Sequence, residues 1–192
     1  MTGPVHIVKD LISCPAMSVP AIGESYRGVE GHSGFLLRQA WRVLLGAMEI
    51  ALRAHDLTPA QYGVLSVLAR EPGASGADLA RAINTTPQAM NGVLATLERE
   101  ALIERRPHPT HGRILQATLT SEGQRRLEAA NPSVRALERA TERDFTPDEI
   151  ATVKTWLVAT AQRLERATES RAASPASTRS KVDFPLPLGP ST

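Results

Sequence analysis

The residues best suited to recognise another molecule are concentrated in one stretch, residues 86–113. Two side-chain amides, Gln88 and Asn91, stand three positions apart and share one face if the stretch is helical. An amide both donates and accepts hydrogen bonds, which suits it to read base edges in a major groove about 12 Å wide. Arginines and histidines follow, and a guanidinium fits phosphates or a narrow minor groove. The pattern predicts one DNA-contacting set: Thr86, Gln88, Asn91, Arg105, Arg106, His108, His111 and Arg113.

Seven of the eight members of this set have an expected role. Gln88 and Asn91 read base edges, and Thr86 contacts a phosphate at the start of the helix. Phosphates along the DNA backbone are the expected partners of three further side chains: Arg105, Arg106 and His108. Arg113 enters the minor groove beside the reading helix.

A helix and a hairpin are predicted to carry these side chains. Thr86 caps the helix and Pro87 takes its first position, where a missing N–H costs nothing. Apolar residues at helical spacing bury the opposite face: Met90, Val93, Leu94 and Leu97. Strands over residues 102–106 and 114–120 then enclose a turn rich in Pro, His and Gly, residues 107–112. A polar-faced helix followed by a hairpin with arginine at its tip is typical of a winged helix.

Two capped helices come before this unit. Thr58 and Gln61 form a capping box, with Pro59 at the first helical position. Ser75 and Asp78 form a second box, which opens a short helix. A short turn then leads into the helix that begins at residue 87, so the spacing predicts a helix-turn-helix.

Helices rich in apolar residues flank the predicted lobe. Residues 33–54 carry two adjoining apolar stripes, so this helix needs neighbours on several sides. A capping box at residues 121–124 predicts a later helix, in which Asn131-Pro132 causes a kink or a break. The last helix starts at residues 146–149 and has its own stripe: Ile150, Val153, Leu157, Ala161 and Leu164. For the helix over residues 33–54, intrachain packing is one explanation, but its wide apolar surface favours a helix bundle shared between subunits.

The predicted fold is mainly α with a small β-hairpin wing, and combines a winged helix-turn-helix lobe with a helical dimerisation bundle. The tail is rich in Ser, Pro, Ala and Thr and has too few apolar residues to order itself. The expected divisions are a flexible N-terminal arm (1–31), a dimerisation helix (32–56), a winged helix-turn-helix DNA-binding domain (57–120), C-terminal dimerisation helices (121–170) and a disordered tail (171–192).

Composition narrows the function classes. A net charge of +2 and a pI near 9.0 permit nucleic-acid binding without demanding it. One cysteine excludes an internal disulfide framework and a cysteine-based zinc site. His108 and His111 are close in sequence, but no carboxylate or thiol in their loop completes a metal site. We therefore expect neither a metal ion nor a cofactor.

Enzymatic and membrane functions find no support in the sequence. It contains no nucleophile elbow, phosphate-binding loop or pair of acids outside the helix caps, so we expect a protein that is not an enzyme. No apolar run approaches the roughly 20 residues of a membrane span, and the N-terminus lacks a secretory pattern. A cytoplasmic protein without a membrane partner is expected.

Four side chains are candidates for a small-molecule pocket. They lie at the first long helix and the start of the next: Trp41, Met48, His55 and Tyr62. The same residue types also suit an ordinary core, and the sequence favours the core.

Six segments occur in an order that is informative as a series: LTPAQYGVLSVL (57–68), ADLARAI (77–83), TLEREALIERR (96–106), HPTHGRILQATLT (108–120), SEGQRRLE (121–128) and FTPDEIATV (145–153). From about residue 35 to residue 166, the chain resembles the MarR family of bacterial transcription regulators. The resemblance implies a homodimer whose first helix and last two helices form a shared bundle. It also implies binding of double-stranded DNA at a pseudo-palindromic operator, usually as a repressor, and a small aromatic effector bound between bundle and lobe.

Two positions depart from the pattern of that family. The wing carries His111 where relatives usually place an acidic partner for Arg113, so titration of the imidazole is a possible source of pH-sensitive DNA binding. Gly92 stands where relatives often place arginine or another polar residue. A winged helix used purely for protein contacts, without sequence-specific DNA binding, is the alternative function, and salt-dependent DNA binding discriminates between the two.

Overall fold

The computed structural model of the chain describes residues 19–109 and 114–173. Its described residues fall into two compact units, one within Met1–Ala140 and one within Thr141–Thr192. Six helices and a two-stranded antiparallel hairpin in this part confirm the predicted fold class. They follow in the order α1 (Ser33–Arg53), α2 (Pro59–Arg70), α3 (Gly76–Ala82), α4 (Pro87–Arg99), β1 (Ile103–Pro107), β2 (Leu115–Leu119), α5 (Ser121–Glu142) and α6 (Pro147–Ala173). No helix in this part is long and apolar enough to cross a membrane.

The core of the first unit lies among α2, α3, α4 and the hairpin, and α1 and α5 add Leu52, Leu127 and Ala130 to it. Its largest members include fully buried leucines from α2, α3, α4 and the turn before β1: Leu65, Leu68, Leu79, Leu97 and Leu102. Both predicted capping boxes are present. Thr58 Oγ1 accepts the backbone N–H of Gln61 at 3.2 Å, and the side chain of Gln61 accepts the backbone N–H of Thr58 at 2.8 Å. Ser75 and Asp78 make the equivalent pair at the start of α3, so local sequence alone determines where these helices begin.

At the base of the hairpin, β2 is also hydrogen-bonded to the segment before α3. Arg105 pairs in register with Ala117, and the backbone of Ala117 also bonds to Gly73 and Ala74 at 2.9 and 3.1 Å. The segment before α3 therefore anchors β2 to the helical lobe. Along β2, Ala117 is buried, whereas Leu115 near the tip is 44% exposed.

Helix α5 starts differently from the sequence prediction. The predicted capping box at residues 121–124 is wrong, because the cap is Thr120, whose hydroxyl accepts the backbone N–H of Gly123 at 3.0 Å. That hydroxyl also donates to the carbonyl of Ala101 at 2.7 Å. A Cβ on Gly123 would lie 2.0 Å from the carbonyl oxygen of Leu102, so glycine is required at this close approach. The helix then runs through Pro132 without the break that was one of the expected outcomes.

Part of the segment predicted as an N-terminal arm has local secondary structure. Residues Ser25–Arg27 form a 3-10 turn. The Arg27 guanidinium donates to Gln39 Oε1 at 2.8 Å and to the carbonyl of Pro20 at 2.7 Å, which fixes this segment against α1. Residues 1–18 lie outside the described part of the chain.

Helices α1 and α6 present apolar side chains to solvent. On α1 only Leu52 is fully buried, while Ile50 is 71% exposed and Trp41 is also exposed. On α6 the predicted stripe is largely exposed, including Val153, Leu157 and Leu164. Helix α6 continues to residue 173, so the predicted tail starts three residues too early, and residues 174–192 lie outside the described part.

Candidate nucleic-acid interface

Helix α4 has one buried face and one exposed face. Met90, Leu94 and Leu97 are buried in the core of the first unit. Gln88 and Asn91 are exposed on the other face, as the spacing predicts. The exposed face therefore presents two amides and no charge between Pro87 and Leu97, which suits contact with base edges rather than with phosphates alone.

The start of α4 is fixed by the side chain of Thr86. Its hydroxyl oxygen accepts the backbone N–H of Ala89 at 3.1 Å, while the residue itself is exposed. A hydroxyl that accepts one bond keeps its O–H as a donor. Thr86 can therefore cap the helix and donate to a phosphate at the same time.

Two further features shape the exposed face of α4. A Cβ on Gly92 would meet no atom within 4 Å, so this position is a gap on the surface rather than a packing requirement. A Cβ on Gly76, at the start of α3, would lie 3.9 Å from Asn91 Oδ1. Asn91 thus lies beside the start of α3, and its amide is at the junction of both helices of the helix-turn-helix.

The described arginines of the hairpin are both paired with carboxylates. Arg105 on β1 donates from Nε to Glu98 Oε2 of α4 at 2.9 Å, and its Nη2 donates to the same oxygen. Arg106 donates to Glu104 Oε2 on its own strand at 2.8 Å. The backbone N–H of His108 donates to the carbonyl of Ile114 at 2.7 Å and closes the hairpin toward its tip. The other two predicted contacts, His111 and Arg113, lie outside the described residues.

A carboxylate also lies at the start of α3. Hydrogen bonds from the side chain and backbone of Ser75 lower the pKa of Asp78, and the charge of Arg81 adds to this effect. Arg81 and Asp78 form an exposed ion pair one turn apart. Several basic side chains of the lobe thus have an acidic partner: Arg81, Arg105 and Arg106.

The four predicted pocket residues are not all alike in their surroundings. Met48 and Tyr62 pack against the buried core. Tyr62 donates its hydroxyl to Asn131 Oδ1 at 2.9 Å, and His55 Nε2 lies 3.1 Å from Ser133 Oγ. Trp41, by contrast, is 56% exposed on α1.

The sequence did not identify the partners of these side chains. Asn131 and Ser133 flank Pro132, and the sequence interpretation treated that site as an interruption of a helix. They instead connect α5 to α2 and to the end of α1 by polar contacts. Polar residues on both sides of a proline, in a helix that continues, are the signal that could have indicated them. Within residues 19–109 and 114–173, no group of three His, Cys, Asp or Glu side chains is placed to hold a metal ion.

Comparison with known proteins agrees with this arrangement. The MarR family model matches residues 55–114. A helix-turn-helix transcriptional repressor of Mycobacterium tuberculosis is 39% identical over 105 residues, which cover 55% of this chain and 76% of the repressor. A homoprotocatechuate degradative operon repressor of Escherichia coli is 27% identical over 59% of this chain and 77% of its own length.

A solved structure extends the likeness to three dimensions. The crystal structure of a MarR family protein of M. tuberculosis in complex with p-aminosalicylic acid has a TM-score of 0.56 and 32% identity, over 68% of this chain and 98% of that one. The matched segment contains both helices of the helix-turn-helix and the first strand of the hairpin. Sequence and structure therefore lead to one conclusion: the chain belongs to the MarR family of transcriptional regulators.

Proposed function

We propose that this protein is a transcriptional repressor that binds a pseudo-palindromic operator as a homodimer and is released by a small aromatic ligand. The observation that carries the proposal is the exposed, uncharged face of α4 beside a hairpin with basic residues. The M. tuberculosis and E. coli relatives are named as repressors, which supports this direction of regulation. Operator binding requires the compartment that holds the DNA, so a cytoplasmic location belongs to the same proposal.

The proposed contacts divide by the chemistry they offer. Gln88 and Asn91 read bases, because their amides are exposed on the face of α4 that the core leaves free. Thr86 and Arg106 bind phosphates through an exposed hydroxyl and an exposed guanidinium. His108 is assigned to the DNA backbone and Arg113 to the minor groove, as the sequence predicts, and His111 is kept as a DNA contact beside Arg113. Arg105 is given a different role, because its guanidinium already has a carboxylate partner on α4.

A second copy of the chain is the proposed partner of the exposed apolar faces. Trp41, Val43 and Ile50 on α1 are each more than half exposed, at 56, 55 and 71%. On α6 the exposed set includes Val153 and Leu164. Apolar faces of this extent on a chain from a repressor family favour burial against a copy of themselves. The predicted divisions into a dimerisation helix, a DNA-binding lobe and C-terminal dimerisation helices are part of this proposal.

The ligand in this proposal is a small aromatic acid or phenol. One structural relative holds p-aminosalicylic acid, and one sequence relative controls an operon for an aromatic compound, as their names state. In this chain Met48 on α1, His55 just after α1 and Tyr62 on α2 offer a thioether, an imidazole and a phenol ring, each half-buried. Trp41 is retained as a candidate on the exposed part of α1.

Binding to DNA is the first test. Fluorescence anisotropy with the duplex from just upstream of the gene, together with a selection from random duplexes, identifies the bound sequence. We expect salt-sensitive binding by a dimer, weakened for all sequences by Arg113→Ala. Gln88→Ala should cost about 1–3 kcal/mol and relax specificity at one position of each half-site. Arg163→Ala on exposed α6 is the matched control and should leave binding unchanged.

The opposite result would favour the alternative function. If no duplex is enriched by the wild-type protein, and Arg113→Ala changes nothing, the lobe serves protein contacts. The ligand part of the proposal is tested separately by adding p-aminosalicylic acid to the complex of protein and DNA. Release should occur with the wild type and shift in midpoint with Tyr62→Phe, which removes the hydroxyl bonded to Asn131. DNA binding without any release would remove this ligand class from the proposal.

A further inference from the structure

We propose that Arg105 and Glu98 form a clamp that fixes the wing against α4, and that this clamp determines how well the operator is distinguished from other DNA. The inference rests on the proposed DNA-binding function. It assigns Arg105 as a positioning residue and not as a phosphate contact. The pair is called the Glu98–Arg105 clamp below.

The geometry of the pair differs from that of an ordinary surface ion pair. Arg105 directs two N–H groups, on Nε and Nη2, to the same carboxylate oxygen of Glu98. Its side chain is 23% exposed, and Glu98 is 40% exposed. A charge-assisted bond made through two donors fixes orientation as well as distance. Because Glu98 lies on α4 and Arg105 on β1, the bond joins the element that reads bases to the element that carries the wing.

The turn between these two elements is held from both sides. Ala101 has φ of 54°, a left-handed conformation that a residue with a side chain adopts only when its surroundings impose it. Its N–H donates to the carbonyl of Glu98 at 3.0 Å, and its own carbonyl accepts the hydroxyl of Thr120 at 2.7 Å. Glu98 thus restrains the turn with its backbone and the strand with its side chain.

The far side of the hairpin base is fixed as well. Arg105 stands opposite Ala117, and Ala117 is bonded through its backbone to Gly73 and Ala74 before α3. The clamp therefore lies where α4 meets β1, opposite the point at which β2 is bonded to the segment before α3. Any change in the Glu98–Arg105 bond alters the angle at which the wing tip leaves the lobe, since the hairpin extends from this point. Base contacts from α4 and minor-groove contacts from the tip must form together on the operator. This angle therefore affects affinity for the operator more than affinity for DNA of random sequence.

The neighbouring pair provides an internal contrast. Arg106 is 79% exposed and its partner Glu104 is on the same strand, two residues away. That pair joins no two elements, so Arg106 can leave Glu104 for a phosphate without moving the fold. Arg105 would have to abandon a carboxylate on α4, and that carboxylate would then face the DNA without a partner. The two arginines are adjacent in sequence and have opposite expected behaviour.

Glu98→Gln distinguishes a clamp from a phosphate contact, because the two roles of Arg105 predict effects of opposite sign on DNA affinity. The probes are the duplex enriched by the wild-type protein in the selection and a shuffled copy of that duplex, each titrated over a range of salt concentrations. If the clamp operates, Glu98→Gln and Arg105→Gln each lower the ratio of operator to shuffled affinity about tenfold. The slope of log affinity against log salt stays unchanged, because no phosphate contact is lost. The double variant should resemble either single variant, since both break one bond.

The matched control is Arg106→Gln, which should weaken both duplexes equally and reduce the salt slope by about 0.9 per phosphate contact. If Arg105 binds phosphate and Glu98 merely competes for it, Glu98→Gln will instead raise affinity for both duplexes and steepen the slope, which overturns the clamp. An unchanged ratio of operator to shuffled affinity in Glu98→Gln, Arg105→Gln and the double variant would overturn it too. The pair would then only stabilise the surface of the lobe. If the wild type prefers no duplex, the proposed function fails first, and the clamp fails with it.

Discussion

Apolar residues at the same helical spacing have opposite environments in the winged lobe and in helices α1 and α6. Leu65 and Leu97 in the lobe are fully buried. Ile50 on α1, Leu157 and Leu164 on α6 are 71, 38 and 62% exposed. The lobe therefore completes its core within one chain, because each of its short helices has a capped start and a neighbour on its apolar face. The faces of α1 and α6 have no such neighbour within the described chain, and a second copy would provide one.

The largest effect should follow from placing charge on the α6 face. Val153→Asp with Leu157→Asp should raise the dimer dissociation constant by about a thousandfold. The reason is that buried interface residues contribute about 1 kcal/mol or more each, and two substitutions in each of two symmetric subunits add to about 4 kcal/mol. Sedimentation equilibrium over a range of concentrations measures this constant.

A substitution on the opposite side of α6 is the control for that result. Thr155 is exposed and its hydroxyl bonds to the carbonyl of Ala151, away from the apolar stripe. Thr155→Asp should leave the dissociation constant close to that of the wild type. A double variant that remains dimeric at the same concentrations would show that the stripe is not the interface, and the comparison between lobe and helices would lose its main conclusion.

A core truncation in the lobe should have the next largest effect. Leu97→Ala removes a fully buried side chain and should lower the free energy of unfolding by about 2–5 kcal/mol. Because this core is complete within one chain, the loss measured by urea denaturation should be the same at low and high protein concentration. Leu164→Ala on α6 is the counterpart, and its cost should be seen only at concentrations where the dimer forms. Equal costs at every concentration for both variants would contradict the distinction.

Local sequence was enough to predict most of the lobe but not its long-range contacts. The boxes at Thr58 and Ser75 need only residues three apart, and both were predicted correctly. The start of α5 was predicted one residue late, because its cap, Thr120, is selected by contact with Ala101 and by the close approach of Gly123 to the hairpin. Spacing rules describe one element at a time, so they do not identify such contacts between elements.

In the candidate site, too, local spacing predicted the exposed residues of single helices but not the contacts between elements. Helical period placed Gln88 and Asn91 on the exposed face of α4. The bond of Tyr62 to Asn131 joins residues 69 positions apart, and nothing in either local pattern indicates it. The pairing of Arg105 with Glu98 spans the turn after α4, and the strand pattern alone assigned Arg105 to DNA.

A substitution in the strained turn of the lobe should change the free energy of unfolding by less than Leu97→Ala, and in the opposite direction. Ala101 adopts φ of 54°, so Ala101→Gly should raise the free energy of unfolding by about 0.5–1 kcal/mol. Gly92→Ala should stabilise by a similar amount for the reverse reason, since this glycine is in a helix interior with open space around its Cα. Thermal denaturation at fixed concentration measures both. Destabilisation by Ala101→Gly would show that the methyl group of Ala101 makes a contact worth more than the strain.

The smallest predicted effect is the loss of stability at acid pH that comes from one helix cap in each of the two units. Hydrogen bonds from Ser75 lower the pKa of Asp78 in the lobe, and hydrogen bonds from the backbone and side chain of Thr146 lower the pKa of Glu149 at the start of α6. A carboxylate whose folded pKa is depressed stabilises the fold above its unfolded pKa, and that stabilisation is lost as pH falls through the folded value. Unfolding free energy should therefore decline below about pH 5. Asp78→Asn and Glu149→Gln should each reduce the slope of that decline.

Both caps are exposed, so solvent screening keeps these slopes small. Glu71→Gln controls for net charge, because it removes an exposed carboxylate at the C-terminal end of α2 and not at a helix start. Urea denaturation followed between pH 3 and pH 6, below and above dimer-forming concentrations, separates the units. The Asp78 effect should persist in the monomer, because its lobe is complete in one chain. The Glu149 effect should grow in the dimer, where a frayed start of α6 would also weaken the interface. A Glu149 effect independent of concentration would mean that the start of α6 contributes nothing to dimerisation, and would confine the interface to the later turns of the helix.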